Sequence, residues 1–260
     1  MSLKAVMCAL TLLCVPMIGQ AQQLTIAAAS SLKFALADVV SAFKQANPNA
    51  DITLVFGSSG KFNAQVQQGA PFDLYFSADI AYLHALAEKG YAASEVMPYA
   101  LGRIVLWSTR IDVSKMTLSD LAQPQFRRIA IANPRHAPYG QRAVEALQAA
   151  SVWPQVQPKM VYGESIAHAT HFVQTGNAQA GIISLSLVLS PELANQGKYV
   201  LIPEHLHAPI EQGFMITKRA ANNDLAMRFA DYMSHPEARR IMTQYGFTLP
   251  AKALSTDMVR

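Results

Sequence analysis

Two serine pairs carry the chemistry most open to reading in this chain. Ser30-Ser31 follows the strand-like run Leu24-Thr25-Ile26, and Leu32, Ala35, Leu36, Val39, Val40 and Phe43 then recur at helical spacing. Ser58-Ser59 repeats the arrangement after Ile52 to Phe56, opening a helix over Lys61 to Gln68. A strand that turns through serine into a helix offers unpaired backbone N–H groups, hydroxyls and the positive end of the helix dipole. A serine there either caps its own helix or helps to hold an anion. Using the junction twice favours the anion. Two further loops have the same form: Pro138-Tyr139, ahead of a helix read as Gln141 to Ala150, and Gly163 to Ile166, ahead of Glu164 to Thr175.

Rival chemistries fit less well. Gly57-Ser58-Ser59-Gly60-Lys61 resembles part of a phosphate loop, but Val55 stands where the first glycine is needed and Phe62 where a magnesium-binding hydroxyl belongs. Ser58-x-x-Lys61 matches the Ser-x-x-Lys spacing of penicillin-recognising enzymes, with no Lys-Thr-Gly partner downstream. His168 and His171 share a helix face without an evident third metal ligand, and His205 and His207 lie in a Pro-flanked loop. Asp73 and Asp79 flank one strand and turn, with no paired-carboxylate spacing for acid–base work. The residues point to a binding protein, not an enzyme.

The elements that must position these loops follow from the rest of the chain. Of 260 residues, 51% are hydrophobic and 15% charged, enough for one large or two modest cores. The net charge of +4 is diffuse, with no basic run interleaved with aromatics, which argues against nucleic acid. Met1 to Ala21 reads as a secretory signal: Lys4, an apolar run to Ile18, and Gly19-Gln20-Ala21 as the cleavage site. Both cysteines, Cys8 and Cys14, fall inside it, so the exported chain is expected to lack thiols and disulfides. Strands and helices then alternate, the pattern restarting near Tyr99 to Gly102 and returning at Phe214-Met215-Ile216. The expectation is an α/β protein of two lobes, each a mostly parallel sheet flanked by helices, with the ligand in the cleft between them. Residues 22–101 with 213–260 form lobe I and 102–212 lobe II.

At these residues the chain resembles the periplasmic molybdate-binding proteins of ABC importers, over nearly all of Leu24 to Phe247. The resemblance rests on Ala28-Ala29-Ser30-Ser31-Leu32, on the run from Gly69 through Asp73-Leu74-Tyr75-Phe76-Ser77 to Asp79, on Asn133 to Gly140, and on Tyr245-Gly246-Phe247. It implies a type II periplasmic binding fold, a monomer closing on a tetrahedral oxyanion, molybdate or tungstate, without a cofactor. Its partners would be the importer's permease and ATPase, and its location the periplasm. The family's hydroxyl ligands fall on Ser31 and Ser59, and its amide contacts on Tyr139 and Ile166; Ser30, Ser58 and Ser184 are additional candidate contacts. Some members carry a tyrosine hydroxyl where this chain has Ser184, and a small residue where it has Tyr139. The Tyr139 phenol is therefore expected to supply the missing hydroxyl, with Ser184 off the anion.

Molybdate at neutral pH is a fully deprotonated dianion that only accepts hydrogen bonds, so N–H and O–H donors satisfy it without Lys or Arg. Hydrogen phosphate also needs an acceptor, and a donor-only cleft disfavours it. Sulfate differs only in size, which keeps another oxyanion as the alternative ligand. A serine-dependent enzyme using Ser59 is the more distant alternative, because no base accompanies it.

Overall fold

The computed structural model describes residues 23–250. The leader read at Met1 to Ala21, with Cys8 and Cys14, lies outside the described residues. Among the described residues ten strands divide into two five-stranded sheets. The first holds β1 (Gln23–Ala29), β2 (Asp51–Gly57), β3 (Leu74–Ser77), β4 (Met97–Gly102) and, after the second sheet is complete, β10 (Ile210–Ile216), in the order β2-β1-β3-β10-β4. The second holds β5 (Ile104–Ser108), β6 (Ile129–Ala132), β7 (Met160–Gly163), β8 (Ala180–Ser184) and β9 (Lys198–Leu201), in the order β7-β6-β8-β5-β9. The chain leaves the first sheet at Gly102 and rejoins it at Ile210.

The sheets are more mixed than mostly parallel. β1 pairs in parallel with β2 and β3, and β6 with β7 and β8. β10 runs against β3 and β4, and β5 against β8 and β9. The antiparallel pairings all involve β5 or β10, the strands by which the chain enters each sheet from the other. A chain arriving from the neighbouring lobe enters from the cleft end, whereas a strand–helix–strand unit returns to the far end first. The alternation of apolar runs along the sequence does not encode that direction, and it places β10 only at Phe214 to Ile216 because Glu211 and Gln212 interrupt the run.

Burial follows the periodicity. Helix Lys33–Ala46 buries Ala35, Leu36, Val39, Val40 and Phe43 on one stripe. β3, β5, β6 and β8 are buried at every residue, as strands covered on both faces must be. Phe76 of β3 stacks on Phe214 of β10 at 4.6 Å between ring centres, joining the antiparallel pair through the core of the first lobe. In the second lobe Trp107 is fully buried and donates its indole N–H to the Gln196 carbonyl at 2.8 Å.

Candidate functional site

The serine pairs are not helix caps. Ser58 occupies the N-cap position of helix Ser59–Gln67, yet its hydroxyl caps nothing and lies 2.9 Å from His136 Nδ1 on the other lobe. Ser30 and Ser31 form a short 3-10 turn with Leu32, preceded by Ala29 and likewise without a side-chain cap. Ser30 Oγ instead accepts the Ala167 N–H at 3.1 Å, again across the cleft. Ser165, by contrast, is a true cap of helix Ile166–Gln174, accepting from the His168 N–H.

Ser59 is the best-prepared donor. Its Oγ accepts the Ala78 N–H at 2.9 Å and its carbonyl accepts the Tyr75 hydroxyl at 2.7 Å. With a lone pair engaged by the backbone, the hydroxyl proton is left to point elsewhere. The run from Gly69 to Asp79 builds this support. Asp73 accepts the Thr25 N–H and an N–H of Arg219, fixing β3 beside β1 and bringing Tyr75 and Ala78 to Ser59.

A small cavity lies where the strand ends of both lobes meet. It is lined by Ser30, Ser58, Ser59, Tyr139 and Ile166 together with Ala29, Gly57, Ala78, Ala137 and Pro138. No charged side chain lines it. Three helices start here: Ser59–Gln67 from the first lobe, and Pro138–Ala149, with Pro138 in the first turn, and Ile166–Gln174 from the second. The N–H groups of Tyr139 and Ile166 belong to those first turns, which have no intrahelical acceptors. The helix read from Gln141 starts at Pro138, because proline at the first turn loses no bond. Larger hollows beside Gln67 and Arg219 and beside Leu118 and Leu201 are each lined by residues of one lobe alone and bring no strand ends of the two lobes together.

Ser31 and Ser184 do not line the cavity. Both are buried, and both hydroxyls are without a hydrogen-bond partner. Ser31 lies beside the Tyr139 hydroxyl, and its carbonyl accepts the Ser186 hydroxyl at 2.7 Å, tying the 3-10 turn to the second lobe. Tyr139 is 2% exposed, and burial pushes its phenol up to about 12, so at neutral pH it keeps its proton. Among the described residues no cluster of His, Cys, Asp or Glu could hold a metal ion.

Sequence reasoning missed the contacts at the lip of the cleft. Gly60 N–H donates to the His136 carbonyl at 2.8 Å, and Lys61 pairs with Glu164 across the gap. Nothing local signals these, since the partners are 76 to 103 positions apart in a chain whose pairing depends on lobe closure. Burial, and secondarily Lys61, push the His136 pKa below 6.5, with Glu164 opposing. The closed lobes thus disfavour the imidazolium. Closure is undisturbed above the ordinary imidazole value and is increasingly penalised as pH falls from about 6.5 toward the lowered value. Ligand affinity measured calorimetrically from pH 8 to 5 (about neutral to mildly acidic) should weaken below about 6.5. His136→Gln should flatten that decline; an unchanged profile would exclude His136 as its source.

Comparison with known proteins settles the class. The family described as bacterial extracellular solute-binding protein matches residues 24–248. The chain belongs to that family. The solute-binding chain is 36% identical over 200 residues to the molybdate-binding protein ModA of Rhodobacter capsulatus, covering 75% of this chain and 77% of that one. It is 34% identical over 232 residues to ModA of Azotobacter vinelandii, covering 89% and 92%. Among solved structures, the Azotobacter vinelandii periplasmic molybdate-binding protein superposes with a TM-score of 0.81 at 28% identity, covering 88% of this chain and all of that chain. These relatives are binding proteins, and this chain is likewise a solute-binding protein, not an enzyme.

Proposed function

We propose that this protein captures molybdate, and tungstate equally, in the periplasm and hands it to the permease and ATPase of an ABC importer. The Ser59 hydroxyl and the Tyr139 and Ile166 N–H groups, from residues that line the cavity, are ligands, and the Ser31 hydroxyl, unpartnered beside the Tyr139 phenol just behind that lining, joins them with the phenol as a further donor; Ser30 and Ser58 hold the lobes together, and Ser184 stays off the anion. The two lobes close around it. The observation that carries this reading is the cavity of hydroxyls and helix-start amides with no charged lining, between lobes already bridged by Ser30, Ser58 and Gly60. Such donors neutralise a dianion by direction, and each helix N-terminus adds the equivalent of about half a positive charge. The ModA relatives named above support the choice of anion.

The test is a thermal-shift series with molybdate, tungstate, sulfate, phosphate and chromate. Binding stabilises by RT ln(1 + [L]/Kd), about 2.7 kcal/mol at a hundredfold excess over Kd. Molybdate and tungstate at micromolar levels should raise Tm by several degrees, and phosphate should do nothing. A larger shift with sulfate would move the assignment to that oxyanion; a shift only with phosphate or an amino acid would end it.

A further inference from the structure

The Tyr139 hydroxyl is held from behind by a buried carboxamide that no reading of the loops included. Gln212, on β10, is fully buried; its Nε2 donates to Tyr139 Oη at 3.0 Å, and its Oε1 accepts the Tyr99 hydroxyl at 2.7 Å. Gly102, at the end of β4, makes room for the pair, since a Cβ there would collide with both Tyr139 Oη and Gln212 Nε2. The three polar groups form a directed chain: Tyr99 O–H to Gln212, Gln212 N–H to Tyr139. A phenol has one proton to give. With its oxygen already accepting from Gln212, Tyr139 is free to donate that proton toward Ser31 and the cleft. The opposite amide orientation would make Tyr139 donate to Gln212 and face the cleft with lone pairs alone, which a dianion repels. The Tyr99 hydroxyl, donating to Oε1, holds the first orientation.

The geometry points to Gln212, set by Tyr99, as the positioning residue that makes Tyr139 a proton donor to the bound anion and thereby keeps the cleft selective for fully deprotonated oxyanions. This rests on the oxyanion reading of the cleft. It also places the selectivity device on the crossing itself: β4 and β10 are the strands beside which the chain leaves and re-enters the first sheet, and the β4–β10 register shifts at Gln212/Gly213. Neither Tyr99 nor Gln212 lines the cavity, so each acts through Tyr139.

The experiment is a double-mutant cycle on the full chain, titrated calorimetrically with molybdate and separately with inorganic phosphate. Tyr99→Phe and Gln212→Met are both neutral and close in volume, and the first keeps the core ring in place. Each should weaken molybdate about three- to tenfold, the coupling typical of residues in one hydrogen-bonded network. Each should also narrow the preference for molybdate over phosphate. In a Tyr139→Phe background neither should have further effect on affinity or preference. If the losses are the same with and without the Tyr139 hydroxyl, the two residues merely support the fold and the proposal falls. Tyr99→Phe decides the matter alone if Gln212→Met does not fold. Failure of the unmutated chain to bind molybdate would overturn the reading of the cleft, and this inference with it; binding by the unmutated chain with an additive cycle would overturn the inference only.

Discussion

Molybdate affinity should fall ten- to a hundredfold in Ser59→Ala, the loss expected from one hydrogen bond to a charged group at about 1.5–3 kcal/mol. Two properties of the site set that scale. The Ser59 hydroxyl faces the cavity with its acceptor side taken by Ala78 N–H, so its proton is already directed before the anion arrives. The lining also contains no cation to compensate for a lost donor. The same substitution leaves the buried Ala78 N–H unpaired, so the apo protein should lose about 1–3 kcal/mol as well. Calorimetric titration reads the first effect and apo Tm the second. Ser59→Thr keeps the hydroxyl and separates them: it should restore most of the affinity. Unchanged molybdate binding in Ser59→Ala would remove Ser59 from the ligand set.

Gly60→Ala should also weaken binding, but with the apo fold unharmed. Gly60 is in the first turn of helix Ser59–Gln67, and its N–H meets the His136 carbonyl of the other lobe. A Cβ there would stand 2.8 Å from the His136 carbonyl oxygen and 2.9 Å from its Cα, both backbone atoms that cannot swing aside. The collision exists only when the lobes are closed. Replacing glycine by alanine within a helix stabilises by roughly 0.5–1 kcal/mol, so apo Tm should hold or rise. Molybdate affinity should drop by at least about tenfold, since every 1.4 kcal/mol of obstructed closure costs that factor. Small-angle scattering should show that molybdate contracts the unmutated protein and not the variant. Normal affinity in Gly60→Ala would mean that the contact between Gly60 and His136 is not part of the liganded state.

How much of this was legible beforehand differs between the framework and the site. Apolar periodicity is a local property, and it marked β1, β2, β3, the helix over Lys33–Ala46 and the alternation that makes two α/β lobes. The serine pairs and the Pro138 and Ser165 junctions were likewise visible, because a strand, a turn residue and a helix follow one another in the chain. Ser30, Ser58, Ser59, Tyr139 and Ile166 do converge on one cavity.

What the chain could not announce was everything that depends on which distant segments meet. Whether Ser58 caps its helix or reaches His136, 78 residues away, is decided by the approach of the second lobe. The antiparallel direction of β10, the seat of Gln212 behind Tyr139 and the space left by Gly102 all follow from how the chain crosses between the sheets. Residue types and their neighbours along the chain select local conformation and the kind of donor available. The direction in which a buried hydroxyl gives its proton is set by the partner on its other side, and only the tertiary structure supplies that partner.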